Sequence, residues 1–551
     1  MRPRFANNNL RRKDAVKIFY NAKMITLDDQ RQVAEAMVIH EDRILKVGSN
    51  EEVLRYAGEY AEKIDMQGKT IIPGIVDSHN HIIEAGITMA GVLLFDCTCI
   101  DDVLQLISEK AKTLPEGTWI EGAGWIESQF KEYRPPTRWE LDQAAPKHPV
   151  YLSRLFAGAV ANSLALEAAG ITKGCAQPET GTICLREDGE PNGYLINNAQ
   201  RLVRAVVPRN VGKVDKQAEL MAAIGRATEE YLKYGITTIL DPGVGPEEMK
   251  AYQKMRNAGQ VKQRIAMMPA WYWLYATQGK DLESLVPNLG VFEGFGDEKL
   301  RFAALKMAID GGVGSKTAMM NEPWIDGSET KIPLRLDINR LEEYFRIGHG
   351  AGWSIGIHCC GDLAQDIACR TFDKVLSEDK TPQARKHHII HGYLPTEEAL
   401  QLMKKWDIGV SVQPGFIWVE GDIYFDNLEV ERVNRFKPLR TYLDRGIRVF
   451  ANSDMTSAHY NPFLGMASAV TRRTSRGVQL GSEECISVME MLEIFIKNGA
   501  YYCGLEDKVG SLEAGKKSDF AVLSDDILTI PEEEIRQLKV LATYIDGQRV
   551  Y

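Results

Sequence analysis

Residues 71–82 read IIPGIVDSHNHI. The apolar part, Ile71 to Val76, is broken by Pro73 and Gly74, so it has the length of a buried strand and falls far short of a membrane span. His79 and His81 follow at a spacing of two, which on an extended chain points both imidazoles to the same face, within reach of one metal ion. An isolated H-x-H is weak evidence, but the same texture recurs downstream. YGITTILDPG (234–243), LRFAALKMAIDGG (300–312), WSIGIHCCGD (353–362), HHIIHGY (387–393), IGVSVQPG (408–415) and IRVFANSD (447–454) are all short apolar runs, most of them followed by a helix-like stretch. Strand and helix alternating in this way predict an α/β fold closed into a barrel, in which chemistry gathers where the strands end. The polar residues ending these runs are His79, His81, Lys306, His358, His391 and Asp454. Imidazoles with a carboxylate suit zinc, and also manganese, iron, cobalt or nickel.

Both ends of the chain read differently from the middle. Val16 to about Ile72, and again GSLEAGKKSDFAVLSDD (510–526) with VLATYIDGQRVY (540–551), are short alternating runs with polar turns, the signature of a small sheet. The expected organisation is residues 1–73 and 501–551 as two parts of one composite β-sandwich, and 74–500 as the barrel. A stretch of about 91–210, rich in Pro, Gly and Trp, reads as an insertion packed over the barrel mouth.

The 551 residues are 44% hydrophobic and 26% charged, with 66 Lys and Arg against 76 Asp and Glu and a net charge of -10. That balance provides no basic face for a phosphate backbone, so nucleic acid is excluded as a partner. No apolar run reaches membrane length, and the first sixteen residues lack the apolar core of a secretory leader, which reads as a cytoplasmic protein with no membrane association. The nine cysteines form no C-x-x-C pair and fit reduced, buried thiols. A small-molecule substrate and a homodimer are the expected partners.

Together, IIPGIVDSHNHI, His358, RKHHIIH (385–391), NSD (452–454) and GSLEAGKKSDFAVL (510–523) resemble the amidohydrolase superfamily. GAGW (122–125), PPTRWELDQAAPKHPVYL (135–152), NSLALEAAGI (162–171), LKMAIDGGVGSKTA (305–318), HCCGD (358–362) and NPFLGMASAVTRR (461–473) are similar to its YtcJ-like, amidohydrolase 3 branch. The resemblance runs from about residue 16 to the C-terminus. It implies a distorted (β/α)8 TIM barrel with a β-sandwich from both termini, and a binuclear centre of one or two divalent metals, zinc first. It places His79, His81 and Asp454 on one metal and His358 and His391 on the other. Lys306 would carry a CO₂-derived carbamate bridging both, and Asp454 would act as the base. The implied activity is hydrolysis of a non-peptide C–N bond by a metal-activated hydroxide. Two departures stand out: Ala157 occupies the place of a histidine that commonly polarises the substrate, and Ile390 that of an acidic residue.

Trp125, Trp273, Trp418 and His459 are the candidate substrate contacts, since aromatic groups after strand-like runs line apolar pockets as well as cores. His387 and His388 read as surface or outer residues, Lys306 has Asp310 as an alternative ion-pair partner, and GSLEAGKK lacks the hydroxyl and helix of a phosphate loop. The same barrel would also serve deamination, C–O hydrolysis, decarboxylation, or a non-catalytic binding or regulatory role.

Overall fold

The structure is a computed structural model that describes residues 16–58, 61–155, 158–178, 181–208, 215–271, 290–330, 338–379 and 385–551. Its centre is built from nine parallel segments: β1 (Ile75–Asp77), β2 (Ile236–Val244), β3 (Arg264–Pro269), β4 (Leu300–Phe302), β5 (Leu305–Ala308), β6 (Ile355–Cys359), β7 (His388–His391), β8 (Gly409–Val412) and β9 (Val449–Ala451). One sheet runs β4-β3-β2-β1 and a second runs β5-β6-β7-β8-β9. β4 pairs with β3 while β5 pairs with β6, so these two segments are halves of one stave, and eight staves result. The far seam is closed by Asp454, whose amide donates to the His79 carbonyl at 2.9 Å. It is also closed by Ser453, whose amide donates to Asp77 Oδ1 at 3.0 Å, and by the Ser78 hydroxyl, which donates to the Ala451 carbonyl at 3.0 Å.

Side-chain alternation along these strands explains the layering. Ile75, Ile239, Ile265, Leu305, Ile357 and Ile389 join helical residues such as Ala223, Phe345 and Phe372 in the main core. The alternate positions Val76, Leu240, Ala266, Met268 and Ile390 form a separate buried cluster with Ala500, Cys503 and Leu505. Ile390, where an acidic residue was looked for, therefore serves packing. The helix Ile82–Thr88 that follows His81 lies so close to Lys216–Leu232 that a Cβ on Gly86 would come 1.9 Å from the Ala223 carbonyl oxygen, a contact only glycine permits.

Both termini contribute to one six-stranded sheet, in which Phe520–Leu523 and Val540–Ile545 lie beside Thr70–Pro73 and Lys23–Ile25. Phe19, Met24, Met37 and Phe520 share its small core with the neighbouring four-stranded sheet. Buried Arg264 at the start of β3 ties this unit to the barrel through Asp519 at 2.8 and 3.0 Å.

The stretch read as loop-rich contains a six-stranded sheet of its own, from Val92–Leu93 and Ile120–Trp125 to Pro191–Ile196. Its strands escaped notice because Gly124 and Gly193 (φ 102° and 100°) break the alternation from within.

Candidate active site

His79 and His81 follow β1 and Asp454 follows β9, so the barrel seam brings them together. His81 Nε2 stands 3.4 Å and His79 Nε2 3.7 Å from the same oxygen, Asp454 Oδ1. Lys306 Nζ, from β5, lies 3.3 Å from His79 Nε2. His79, Lys306 and Asp454 are all buried. A buried frame holds the loop: Asp77 accepts from the Ser453 amide, from the Ser453 hydroxyl at 2.6 Å and from Asn80 Nδ2 at 2.9 Å, and the Tyr231 hydroxyl donates to Asn80 Oδ1 at 2.8 Å. Burial, reinforced by the Lys306 charge, holds His79 well below the ordinary imidazole range, so its ring is a neutral lone-pair donor. At His81 burial acts in the same direction but is outweighed by Asp454 and Glu84, and the ring is pushed up to about 9. The carboxylate that draws a proton onto His81 would equally draw a metal cation into the space between them.

His358 and His391, on the neighbouring strands β6 and β7, face one another with His358 Nδ1 2.9 Å from His391 Nε2. Their outer nitrogens decide what that contact is. His391 Nδ1 lies 2.7 Å from Gln413 Oε1, and the Gln413 amide is oriented by donating to Asn452 Oδ1 at 2.9 Å. His358 Nε2 lies 3.2 Å from the Gly311 carbonyl. With N–H on both outer nitrogens, the inner nitrogens would be the lone-pair donors that a metal needs. Cys360 Sγ, 3.4 Å from His358 Nε2, joins these two in a group whose ligand atoms lie within 4.8 Å of one another, as do those of His79, His81 and Asp454. The two groups adjoin, with the His79 and His391 ring centroids 6.3 Å apart. His391 (φ 80°) and Asp454 (φ 48°) both hold a left-handed backbone, strain of the kind that gathers at functional sites.

Five of the six residues read from the sequence as the metal shell fall in these two adjacent groups, and the sixth, Lys306, lies beside His79. The Asp310 carboxylate accepts from the amides of Met319, Cys360 and Gly361 at 3.0, 3.0 and 2.8 Å. His387 and His388, expected on the surface or behind the ligands, are buried. The His387 ring accepts from the Ile355 amide, and His388 packs on Phe450 and Tyr502. Trp418 and His459 line one cleft of about 280 Å³ together with Phe95 and Arg536. Trp125 stands instead in the core of the insertion, stacked on Phe130 with its indole N–H donating to the Leu152 carbonyl at 3.1 Å. Trp273 and Ala157 lie outside the described residues. The sequence reading missed Gln413, although it ends an apolar run and so carries the signal that found the others. Asp77, Asn80 and Tyr231 carry no such signal, because their role appears only when the seam closes.

A family model described as the amidohydrolase family matches residues 62–551. YtcJ of Bacillus subtilis (strain 168), named as an amidohydrolase, is 29% identical over 97% of this chain and 99% of its own length. The N-substituted formamide deformylase of Arthrobacter pascens is 28% identical over 96% of each. Among solved structures, an uncharacterized metal-dependent hydrolase from Pyrococcus horikoshii OT3 superposes with a TM-score of 0.71 at 23% identity, over 94% of this chain and 99% of that one. No described helix is long and apolar enough to cross a membrane.

Proposed function

The chain belongs to the amidohydrolase family, an enzyme family of metal-dependent hydrolases, and from that premise we propose that it cleaves a non-peptide C–N bond of a small amide. The observation that carries the reading is the approach of His358 Nδ1 to His391 Nε2 at 2.9 Å beside the His79, His81 and Asp454 group. The imidazoles of both groups, with the Asp454 carboxylate at the first and the Cys360 thiol at the second, fit a divalent metal of zinc type, His81 giving up its proton as the ion binds. Metal there supplies an acidified water and an electrophile for the substrate carbonyl.

The chain's own residues do the rest. His79, His81 and Asp454 would hold one ion, and His358 and His391 the other. As a plain amine, Lys306 places positive charge beside His79 and so opposes metal binding. The ammonium would first give one proton to solvent; addition of CO₂ to the neutral amine would then form an N–C bond, release a second proton, and leave a carbamate anion in place of the positive charge. The Asp454 carboxylate takes a proton from the attacking water and passes it to the departing nitrogen, giving an acid and an amine. The cleft holding Trp418 and His459 takes the remainder of the substrate. Because a relative of nearly equal length is named a formamide deformylase, N-formyl amines head the substrate class.

The test is metal content and intact mass in bicarbonate for wild type, with hydrolysis of a panel of N-formyl and N-acetyl amines. Expected are one to two metal equivalents, a labile added mass of CO₂ and turnover of at least one amide. Absence of metal after reconstitution would sink the reading.

A further inference from the structure

Lys437 is fully buried, and its Nζ has no hydrogen-bond partner among the described residues. The amine lies 3.6 Å from the centre of the Tyr393 ring and 4.6 Å from that of Phe416. Those two rings flank His391, at centroid distances of 5.5 and 6.4 Å, so the amine is one side-chain layer from the candidate centre. Its placement is enforced. Lys437 holds a left-handed backbone (φ 51°), its amide donates to the Tyr393 carbonyl at 2.7 Å, and its own carbonyl accepts from buried Arg472 at 2.9 Å. A lysine needed only to fill space would require neither a strained backbone nor a buried guanidinium to aim it.

The acidic groups near the amine are engaged elsewhere. Glu420 accepts from the Tyr424 hydroxyl at 2.8 Å, Asp454 stands with the first histidine pair, and the Cys360 thiol lies against His358. Burial pushes the amine down to about 7 in spite of the pull of Cys360, Glu420 and Asp454. Ring faces stabilise an ammonium, yet they leave all three N–H donors without an acceptor. An anionic oxygen is the group that would satisfy them.

We propose that Lys437 is a substrate-binding residue whose amine receives a carboxylate carried by the amide, so that the chain acts on acid-bearing amides in preference to neutral ones. The inference rests on the hydrolase reading above. Tyr393 and Phe416 cover the amine, so a carboxylate meets it only once the amine has turned off the Tyr393 face.

Calorimetric titration of the zinc-loaded protein with acetate and, separately, with neutral acetamide tests this, in wild type and in Lys437→Met. Methionine keeps the length and apolar body and removes the charge. Acetate binding is expected to weaken by about tenfold or more while acetamide binding and zinc content stay unchanged. An equal change for both ligands, or none for either, overturns the proposal, because a purely structural lysine would move the melting temperature without separating them. A crystal structure of the wild-type protein with acetate supplies the answer without a variant. An acetate oxygen within hydrogen-bond distance of Lys437 Nζ supports the proposal, and acetate density elsewhere with Nζ still on the Tyr393 face refutes it. Lys437-dependent acetate binding by a chain that hydrolyses no amide would sink the hydrolase reading and leave this contact standing.

Discussion

The two halves of the candidate centre are held in place by different means. His79, His81 and Asp454 come from the first and last staves and depend on the seam, where backbone and the Asp77, Asn80 and Ser453 side chains knit residues distant in sequence. His358 and His391 come from adjacent strands and depend on single acceptors behind each ring, the Gly311 carbonyl and Gln413. One half is a property of the closed barrel, and the other is a property of two neighbouring strands. Damage should therefore spread differently: removing an outer partner of His391 should weaken one ion and spare the fold, whereas opening the seam should cost both.

The largest effect expected is at the seam half. Asp454→Asn should lower turnover by about a thousandfold or more while metal stays bound, because the base is lost and an oxygen ligand is kept. Steady-state assay of the best N-acyl amine together with metal analysis checks this, and unchanged turnover would remove Asp454 from the chemistry. Lys306→Ala should reduce metal affinity by about a hundredfold at both halves, since a shared anion is lost and not one ligand of one ion. A loss confined to one ion would show that the halves are independent. Trp125→Ala should destabilise the fold by about 3–5 kcal/mol in urea, through the cavity left beside Phe130, with catalysis per folded molecule unaltered. Gln413→Leu should weaken metal binding by about tenfold to a hundredfold, by freeing the His391 tautomer, without shifting the urea midpoint by more than about 1 kcal/mol. An equal effect on the midpoint would mean that the second half also carries the fold. Smallest of all, Trp418→Ala should change stability by about 1 kcal/mol or less and raise KM for bulky amides, since its ring is only partly buried and faces a cleft, with Arg536 over it at 4.5 Å.

The same contrast explains what the sequence made legible. Six donors ending apolar runs could be picked out because strand alternation fixes which side chains face inward, and that information is local. Gln413 was legible by the same rule. Asp77, Asn80 and Tyr231 were not, because their partners lie on other staves and nothing in their neighbourhood marks them. The insertion hid its sheet for a related reason, since glycines at positive φ interrupt its strands. Among the aromatics, Trp125 and Trp418 look alike in sequence, and only tertiary packing sends one into a core and leaves the other on a cleft.

The hydrogen bond between Ser453 and Asp77 joins residues 376 positions apart. On the ribosome, with synthesis at about 5–20 residues per second, His79 emerges roughly 20 to 75 seconds before Asp454 exists to meet it. The nascent chain therefore carries its first histidine pair through most of translation without the third member of the group, and the terminal sheet waits longer still for strands 520–523 and 540–545. Completion of the first group and closure of the terminal sheet are in that sense late events, and a chain cut just before Asp454 should have its histidines made and its first group never assembled.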